Sequence, residues 1–350
     1  MSVIDTQALV IGAGPVGLFQ VFQLGLQEIG AHVVDVLPEP GGQCVALYPD
    51  KPIYDIPGLP VCTGRELTER LLAQIAPFRA PMHLGQQVHT LTRLDDGRWH
   101  LTTSGGLAFH ASTVFIAAGV GAFVPRKAAI DGLAPHEDRQ VFYHPAPDAA
   151  LDGRHVVVLG GEDAALLTAL DLVQTSRCNS VTLLHRTDKF KPDDPALDAA
   201  VAQALASGRL QLVVGQPMTA EADADGHLVA LQVATPGDTT VRLPLDTLLP
   251  RLGLSPRLGP LADWGLAMER KQLTVAPDTF ATSAPGVFAV GDVNSYPGKR
   301  KLILCGFHEA TLAAFAAAGI VYPERRSLMQ YTTTSPRLHE LLGVATPANT

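Results

Sequence analysis

The stretch Gln7-Ala8-Leu9-Val10-Ile11-Gly12-Ala13-Gly14-Pro15-Val16-Gly17 decides how the chain is read. Gln7–Ile11 is a short apolar run that stops at a glycine string. A helical stretch follows to about Ile29, and a second apolar run, Ala31–Val36, contains Asp35. The order is strand, Gly-x-Gly-x-x-Gly turn, helix, strand, acid, the pattern of a dinucleotide site. Gly12 admits the tight turn, Gly14 lets a pyrophosphate approach the backbone, and Gly17 lets helix and strand pack closely. The helix N-terminus presents free amide hydrogens and the positive dipole end to phosphates. Asp35, about 20 residues further on, is placed to accept hydrogen bonds from ribose hydroxyls. A purely structural turn is the alternative.

A second unit of the same design begins at His155. His155–Leu159 leads into Gly160-Gly161-Glu162-Asp163-Ala164-Ala165, a helix to about Thr175, and a strand Val181–His185. Glu162 stands where the second glycine of the fingerprint belongs, and its charge would repel phosphate. Alternatively, it is an acid in a first helical turn, stabilised by the dipole where no nucleotide binds. His185-Arg186-Thr187-Asp188-Lys189-Phe190-Lys191 follows. Arg186 and Lys189 suit a 2′-phosphate at this position, and a solvated loop is the equal alternative.

Outward from these two strings, 350 residues (37.0 kDa) suit two domains at roughly 100–200 residues each. Hydrophobic residues make up 47% and charged ones 17%, which excludes a disordered chain and supplies two cores. The 32 glycines and 27 prolines follow no repeat. A net charge of −8 argues against nucleic-acid and anionic-membrane partners. Mean hydropathy of +0.17 raises the membrane question, but the best candidate span, Leu302–Val321, contains His308 and Glu309, and Val114–Val124 is too short. Asp5 precedes the first apolar run, and no basic n-region stands before it, so a cytoplasmic location is expected. Cys44, Cys62, Cys178 and Cys305 form no C-x-x-C and no zinc spacing, so no metal is expected and buried thiols are the simplest reading.

Thr113–Gly119 reads as a strand leaving the first domain, with Pro125, Pro135, Pro145 and Pro147 marking a connection. Val287–Val290 is a short strand ending in Gly291-Asp292, before a helix from about Ile303 to Ala318. Such an acid can hold a cofactor's ribityl or phosphate chain, although Gly-Asp is also a common turn.

Two further strings are distinctive: Gly41-Gly42-Gln43-Cys44-Val45-Ala46-Leu47-Tyr48-Pro49 and Gly291-Asp292-Val293-Asn294-Ser295-Tyr296-Pro297-Gly298-Lys299. With Ile53–Gly58, Leu258-Gly259-Pro260, Trp264-Gly265-Leu266, Gly306-Phe307-His308-Glu309-Ala310 and Gln330–Ser335, they resemble the thioredoxin-reductase-like ferredoxin–NADP reductases of bacteria. These belong to the two-domain flavoprotein disulfide reductase superfamily. The similarity runs from about residue 7 to 344.

The resemblance implies an α/β chain of two Rossmann-like, three-layer dinucleotide-binding domains, the second inserted into the first. Residues 1–118 and 286–350 would hold FAD, and 119–285 would hold NAD(P)H. It implies that Asp35 binds the FAD ribose, that Gln43 lies along the cofactor and that Tyr48 stacks on the isoalloxazine. Val88 would meet the adenine through its backbone, Phe123 would lie near the flavin at the crossing, and Asp292 would hold the ribityl–phosphate region. Tyr331 and Thr333 would belong to a tail that covers the partner subunit's flavin in a homodimer. For Tyr48, an ordinary turn aromatic is the alternative.

Thioredoxin reductases of this shape carry a dithiol just before the second glycine motif. The stretch Val141–Asp148 has no cysteine there, so electrons must leave the flavin directly. Cys44, close to the flavin by this resemblance, could form an adduct, with simple burial the alternative.

The implied activity is hydride transfer between NAD(P)H and flavin, then single-electron transfer to or from ferredoxin or flavodoxin. Family members typically read Gly-Gly-Gly-Asp-Ser-Ala and carry adjacent arginines, whereas this chain has Glu162 and Arg186-Thr187. Like charges about 4 Å apart at an effective dielectric near 20 cost on the order of 4 kcal/mol. That is roughly three decades of affinity, so the rival expectation is an FAD oxidoreductase with weakened or lost NADPH use, reduced by another donor such as ferredoxin. A non-enzymatic flavin redox sensor is the third. An acidic carrier would need a basic patch, and Lys299-Arg300-Lys301, Arg126-Lys127 and Arg325-Arg326 are the candidates, with solvated faces the alternative.

Overall fold

Nine-residue strands need β-branched and apolar residues on both faces when helices or further strands cover them. Val3–Ile11 (β1) and Ala108–Ile116 meet that demand and pair in parallel along most of their length. The computed structural model describes residues 3–190, 192, 194–237, 239–325 and 331–344. Lys191, Arg326 and Gln330 lie outside the described residues. The chain divides into two compact units, Met1–Ala122 with Pro256–Thr350, and Phe123–Ser255.

In the first unit, β1 runs into the helix α1 (Pro15–Leu26) and returns as β2 (Ala31–Val34). The sheet order is Met82–His83, β2, β1, Ala108–Ile116 (β3), Trp99–Thr103 and Val88–Arg93. The last three strands form an antiparallel meander, while the strands from Met82–His83 to β3 are parallel. Further along the chain, Val287–Ala289 joins β3 in parallel beyond the point where the meander stops. The helices are α1, the single turn α2 (Gln43–Ala46), α3 (Gly64–Ile75), and two near the C-terminus, described below. Thr63 and Glu66 close a reciprocal capping box at the start of α3.

The second unit is built on His155–Leu159 (β4), α4 (Asp163–Thr175), Ser180–His185 (β5), α5 (Pro195–Ala206) and Thr247–Pro250 (β6). The parallel order is Gln211–Val214, β5, β4, β6. The period-2 alternation of β4 separates two cores. Val156 and Val158 pack with Leu166, Ala169 and Val201 of the helices, whereas Val157 and Leu159 pack with Leu228, Leu231 and Val233 of an antiparallel sheet. The unit is therefore three layers: helices, parallel sheet, antiparallel sheet.

The return to the first unit comes earlier than the expected residue 286. Residues 256–285 belong to the first unit because Leu261, Leu266, Leu273, Val275 and Phe280 are buried in its core. Their strands are only two or three residues long, too short to announce themselves in sequence: Met268–Glu269 pairs with Gln272–Thr274, which pairs with Asn294–Ser295. The outward crossing falls after Ala122 rather than 118.

Val287–Ala289 (β7) then leads through the Gly291–Val293 turn to α6 (Ile303–Val321) and α7 (Pro336–Leu342). Among the described residues α6 is long and apolar enough to cross a membrane. It packs instead on α1, and its residues Gly306, Glu309, Ala310, Ala313, Ala314 and Ala317 are buried.

A very close approach lies in the glycine string. A methyl on Gly17 would stand 1.9 Å from the Gly12 carbonyl oxygen. Gly17→Ala is therefore expected to cost at least about 3 kcal/mol, the upper end of ordinary overpacking, measured by urea unfolding of the full chain.

Candidate functional site

The first site forms where β1 ends. Gly12 adopts φ +114°, and a Cβ there would lie 2.4 Å from the Ala117 carbonyl oxygen, so only glycine fits. Gly14 is the extended N-cap of α1 and Pro15 its first residue, which pre-sets the helix and leaves the amides of Val16 and Gly17 without intrahelical partners. Gly14 faces open space except toward Gly42, whose Cα would be 3.9 Å from a Gly14 Cβ. The Gly41–Gly42 loop is tied to the string by Gly41 N–H donating to Ala13 O at 2.9 Å.

Asp35 is buried just past β2. Its carboxylate accepts from the amides of Ala13 at 2.5 Å and Leu37 at 2.8 Å. Burial pushes its carboxyl above the ordinary value, and these backbone donors work against that shift. The acid expected to meet a ribose thus also holds the phosphate loop in place, a role its spacing did not disclose. Val88 is buried at the head of its strand, two residues beyond Gln86, whose N–H donates to the Asp35 carbonyl at 2.8 Å.

Gln43 opens α2, half-buried beside the same loop. Tyr48 is 37% exposed, with its hydroxyl beside the buried Cys44 thiol. Burial pushes both groups above their ordinary values, and the Asp292 charge adds to the effect. Cys44 is thereby held as a protonated thiol, which favours burial over adduct chemistry. All four cysteines are free.

Asp292 sits in the turn after β7. Val16 anchors that turn to the start of α1: Gly291 and Gly306 both press on its side chain, which would lie 3.4 and 2.3 Å from a Cβ at each. Burial pushes the Asp292 carboxyl above its ordinary value, while Lys299 and Lys301 oppose the shift. Among the described residues no side chain or amide donates a hydrogen bond to it.

The turn is held from below by Glu309, which is fully buried. One carboxylate oxygen accepts from Gly291 N–H at 2.7 Å and Asn294 Nδ2 at 2.8 Å. The other accepts from the Tyr296 hydroxyl at 3.0 Å and the Lys299 ammonium. Lys299, whose side chain is 8% exposed, also donates to Gly291 O at 2.9 Å. Sequence reasoning assigned Glu309 no role. Its signal was a carboxylate on the alanine stripe of an apolar helix.

The same contact corrects the expected basic patch. Lys299 is a buried counter-ion, and only Arg300 and Lys301 of that cluster are exposed. Lys127 pairs with Glu137, and Arg325 pairs with Glu28 at 2.7 Å. Each cluster loses a cation to a carboxylate of the chain itself.

The tail stands apart from these groups. Tyr331 is 63% exposed, and its carbonyl accepts from Thr334 and Ser335 in the turn, containing the exposed Thr333, that starts α7. Arg337 of α7 pairs with Glu28 at 2.5 Å, and the Tyr322 hydroxyl donates to Glu28 O at 2.6 Å. Between α7 and the C-terminal end of α1 lies a cavity of ≈ 340 Å³ lined in part by Glu28, Phe78, Arg337 and Leu341. The anchorage is at the end of α1 away from Gly12–Gly17, so Tyr331 and Thr333 are not brought to their own chain's site. Phe123, in the strand Ala122–Pro125, is the first residue of the second unit.

In the second unit Gly160 turns at φ +149°, with its Cβ position 2.3 Å from the Arg251 carbonyl oxygen. The His185 ring closes over Gly161, with Nε2 2.5 Å from the corresponding position. Glu162 is the exposed N-cap of α4, and its Oε2 lies 3.0 Å from where a Gly253 Cβ would be, while Asp163 is the first helical residue. Arg186 and Lys189 are exposed, and among the described residues neither forms an ion pair. These exposed, unpaired cations at the end of β5 suit a 2′-phosphate and a solvated loop equally.

With this geometry in place, the comparisons with known proteins are concordant. The pyridine nucleotide-disulphide oxidoreductase family matches the chain over residues 6–314. A ferredoxin–NADP reductase of Albidiferax ferrireducens is 54% identical over 346 residues, covering 98% of this chain and 97% of that one. One from Acidovorax sp. is 58% identical, covering 97% and 95%. Among solved structures, the thioredoxin reductase of Lactococcus lactis superposes with a TM-score of 0.55 at 23% identity, covering 91% of this chain and 99% of that one. The bacillithiol disulfide reductase of Staphylococcus aureus superposes at 0.58 with 14% identity, covering 89% and 97%. These two likenesses establish the fold.

Two outcomes follow from the buried charges. Glu309→Gln leaves the Lys299 ammonium without its counter-charge and should cost about 3–5 kcal/mol. Adding Lys299→Met should recover part of that loss, as read by chemical denaturation. For Asp292, the folded carboxyl holds its proton to higher pH than the unfolded one, so its destabilisation is complete above the folded value and vanishes below the ordinary carboxylate range. Asp292→Asn should therefore raise the Tm of the ligand-free protein at about pH 7–8, and the gain should disappear toward about pH 4.

Proposed function

The chain belongs to the pyridine nucleotide-disulphide oxidoreductase family, within its ferredoxin–NADP reductases, and on that premise we propose the following division of labour. The protein is an FAD-dependent oxidoreductase that passes electrons between NADP(H) and ferredoxin. The first unit holds FAD and the second NADP(H). The observation that carries this reading is two strand–glycine turn–helix units in a chain whose four cysteines include no redox pair.

The residues of the first site fit FAD. The string is open on the side of Gly14, α1 offers uncommitted amides, and the Asp292 carboxylate has no hydrogen-bond donor of its own among the described residues. Gly12, Gly14, Pro15, Gly17 and Gly42 shape the pyrophosphate cradle, Asp35 and Val88 hold the adenosine end, and Gln43 and Asp292 hold the ribityl chain. Tyr48 stacks on one side of the ring. When bound, FAD supplies hydride acceptance and one-electron release, which no side chain can provide. The protein places the ring and keeps Cys44 protonated beside it.

In the second unit the N-terminus of α4, with Gly160, Gly161 and Asp163, takes the pyrophosphate, while Arg186 and Lys189 take the 2′-phosphate. A homodimer completes the first site: Tyr331 and Thr333 of one protomer cover the flavin of its partner, with Phe123 at the crossing. The anchorage of the tail away from its own glycine string supports this exchange. Flavodoxin, an acidic carrier of the same kind, is a further acceptor, and Arg300 and Lys301 are the exposed cations next to the Asp292 turn.

A second reading, weakened nicotinamide use, rests on Glu162 and on Thr187, which stands where family members carry a second arginine. Anaerobic titration of the flavin spectrum separates the two. Micromolar NADPH should bleach it rapidly, and NADH much less. No bleaching by either, together with reduction by chemically reduced ferredoxin, would establish the second reading instead.

A further inference from the structure

The parallel sheet of the second unit reverses direction at β4. From β4 the chain moves outward through β5 to Gln211–Val214, then returns to place β6 on the opposite side. In open α/β sheets the ligand crevice lies outside the carboxyl ends of the strands that flank this point. Two turns meet there, Gly160–Asp163 after β4 and Arg251–Gly253 after β6. Arg251 N–H donates to Leu159 O at 2.7 Å, and its carbonyl presses on Gly160. Glu162 leans across to Gly253.

Arg251 is an unusual occupant of this position. Its guanidinium is partly buried, yet its partners are carbonyl oxygens only. Nη1 donates to Phe142 O at 2.9 Å, Pro250 O at 3.0 Å and Tyr143 O at 3.4 Å, and Nη2 approaches His144 O at 3.5 Å. Among the described residues Nε donates to nothing and no carboxylate pairs with the side chain. Burial works against its charge, holding its pKa below the usual value. A dehydrated cation without an anion costs free energy unless a ligand supplies one.

We propose that Arg251 is a pyrophosphate-binding residue of the NADP(H) site, its charge offsetting the carboxylate that Glu162 brings into the same crevice. This rests on the reading of the second unit as the NADP(H) site. The row of carbonyls from Phe142 to His144 orients the fork, and its remaining hydrogens are left for phosphate oxygens, which guanidinium binds as a planar donor. Glycine at position 162 would need no such counterweight. Here the two departures from a neutral crevice cancel.

The test uses the full-length, FAD-loaded protein and calorimetric titration with two probes, NADP+ and adenosine 2′-phosphate. The second probe has no pyrophosphate and reports on Arg186 and Lys189 alone. Arg251→Ala should weaken NADP+ binding about ten- to a hundredfold, the value of a charge-assisted hydrogen bond, and leave adenosine 2′-phosphate binding unchanged. Unchanged NADP+ affinity overturns the proposal. So does an equal loss for both probes, which would mark Arg251 as a prop for the Phe142–His144 backbone. If the parent protein binds neither probe, the reading of the second unit fails, and this inference falls with it. Should Arg251→Ala not fold, phenylglyoxal labelling of the parent protein decides the matter: NADP+ should protect Arg251 and adenosine 2′-phosphate should not. Equal labelling with and without NADP+ overturns the assignment.

Discussion

A carboxylate without access to water must be surrounded by donors, and Glu309 meets that demand with four. The constraint reaches well beyond α6. Gly291, Asn294, Tyr296 and Lys299 take their positions because each gives a proton to the same two oxygens, so the turn bearing Asp292 is built outward from a charge behind it. Gly306, one turn earlier on α6, lets Val16 of α1 press into the same region. Two features distant in sequence, the first turn of α1 and the acid after β7, are thereby held in one frame. Removing one partner of such a pair is far more damaging than never having had it.

Electrostatics elsewhere follow a similar economy. The chain carries more acids than bases, and several of its exposed cations are already engaged by carboxylates within reach. Other cations form no ion pair among the described residues, including those at the proposed sites. Arg186 and Lys189 stand at the end of β5, Arg300 and Lys301 beside the Asp292 turn, and Arg251 at the mouth of a crevice.

Local patterns were legible in the sequence, and long-range compensation was not. The strings Gly12–Gly17 and Gly160–Ala165 declared their turns because strand, glycine and helix follow in register within about 30 residues. Asp35 was found by its interval, but not its bond to Ala13, since backbone donors leave no residue signature. Lys299 was counted with its neighbours as a surface cation because Glu309, which buries it, belongs to a different element. Residues 256–285 were placed in the wrong unit because their strands are too short for period-2 alternation to appear, and Phe280 and Leu273 reveal their core only once folded. Arg251 matches no motif, and its meaning comes from the absence of a partner.

Glu28 adds a practical consequence. Its carboxylate is approached by Arg325 and Arg337, which flank residues 326–336, and the cavity beside it leaves α7 incompletely packed. Partly exposed ion pairs of this kind weaken as mobile ions accumulate. The attraction proposed to draw an acidic electron carrier to Arg300 and Lys301 would weaken under the same treatment. A salt profile of turnover therefore sums two processes, loss of the carrier and loosening of the C-terminal helix. Only the first should vanish when a small, uncharged electron acceptor replaces the protein carrier, which makes the difference between the two profiles the quantity to interpret.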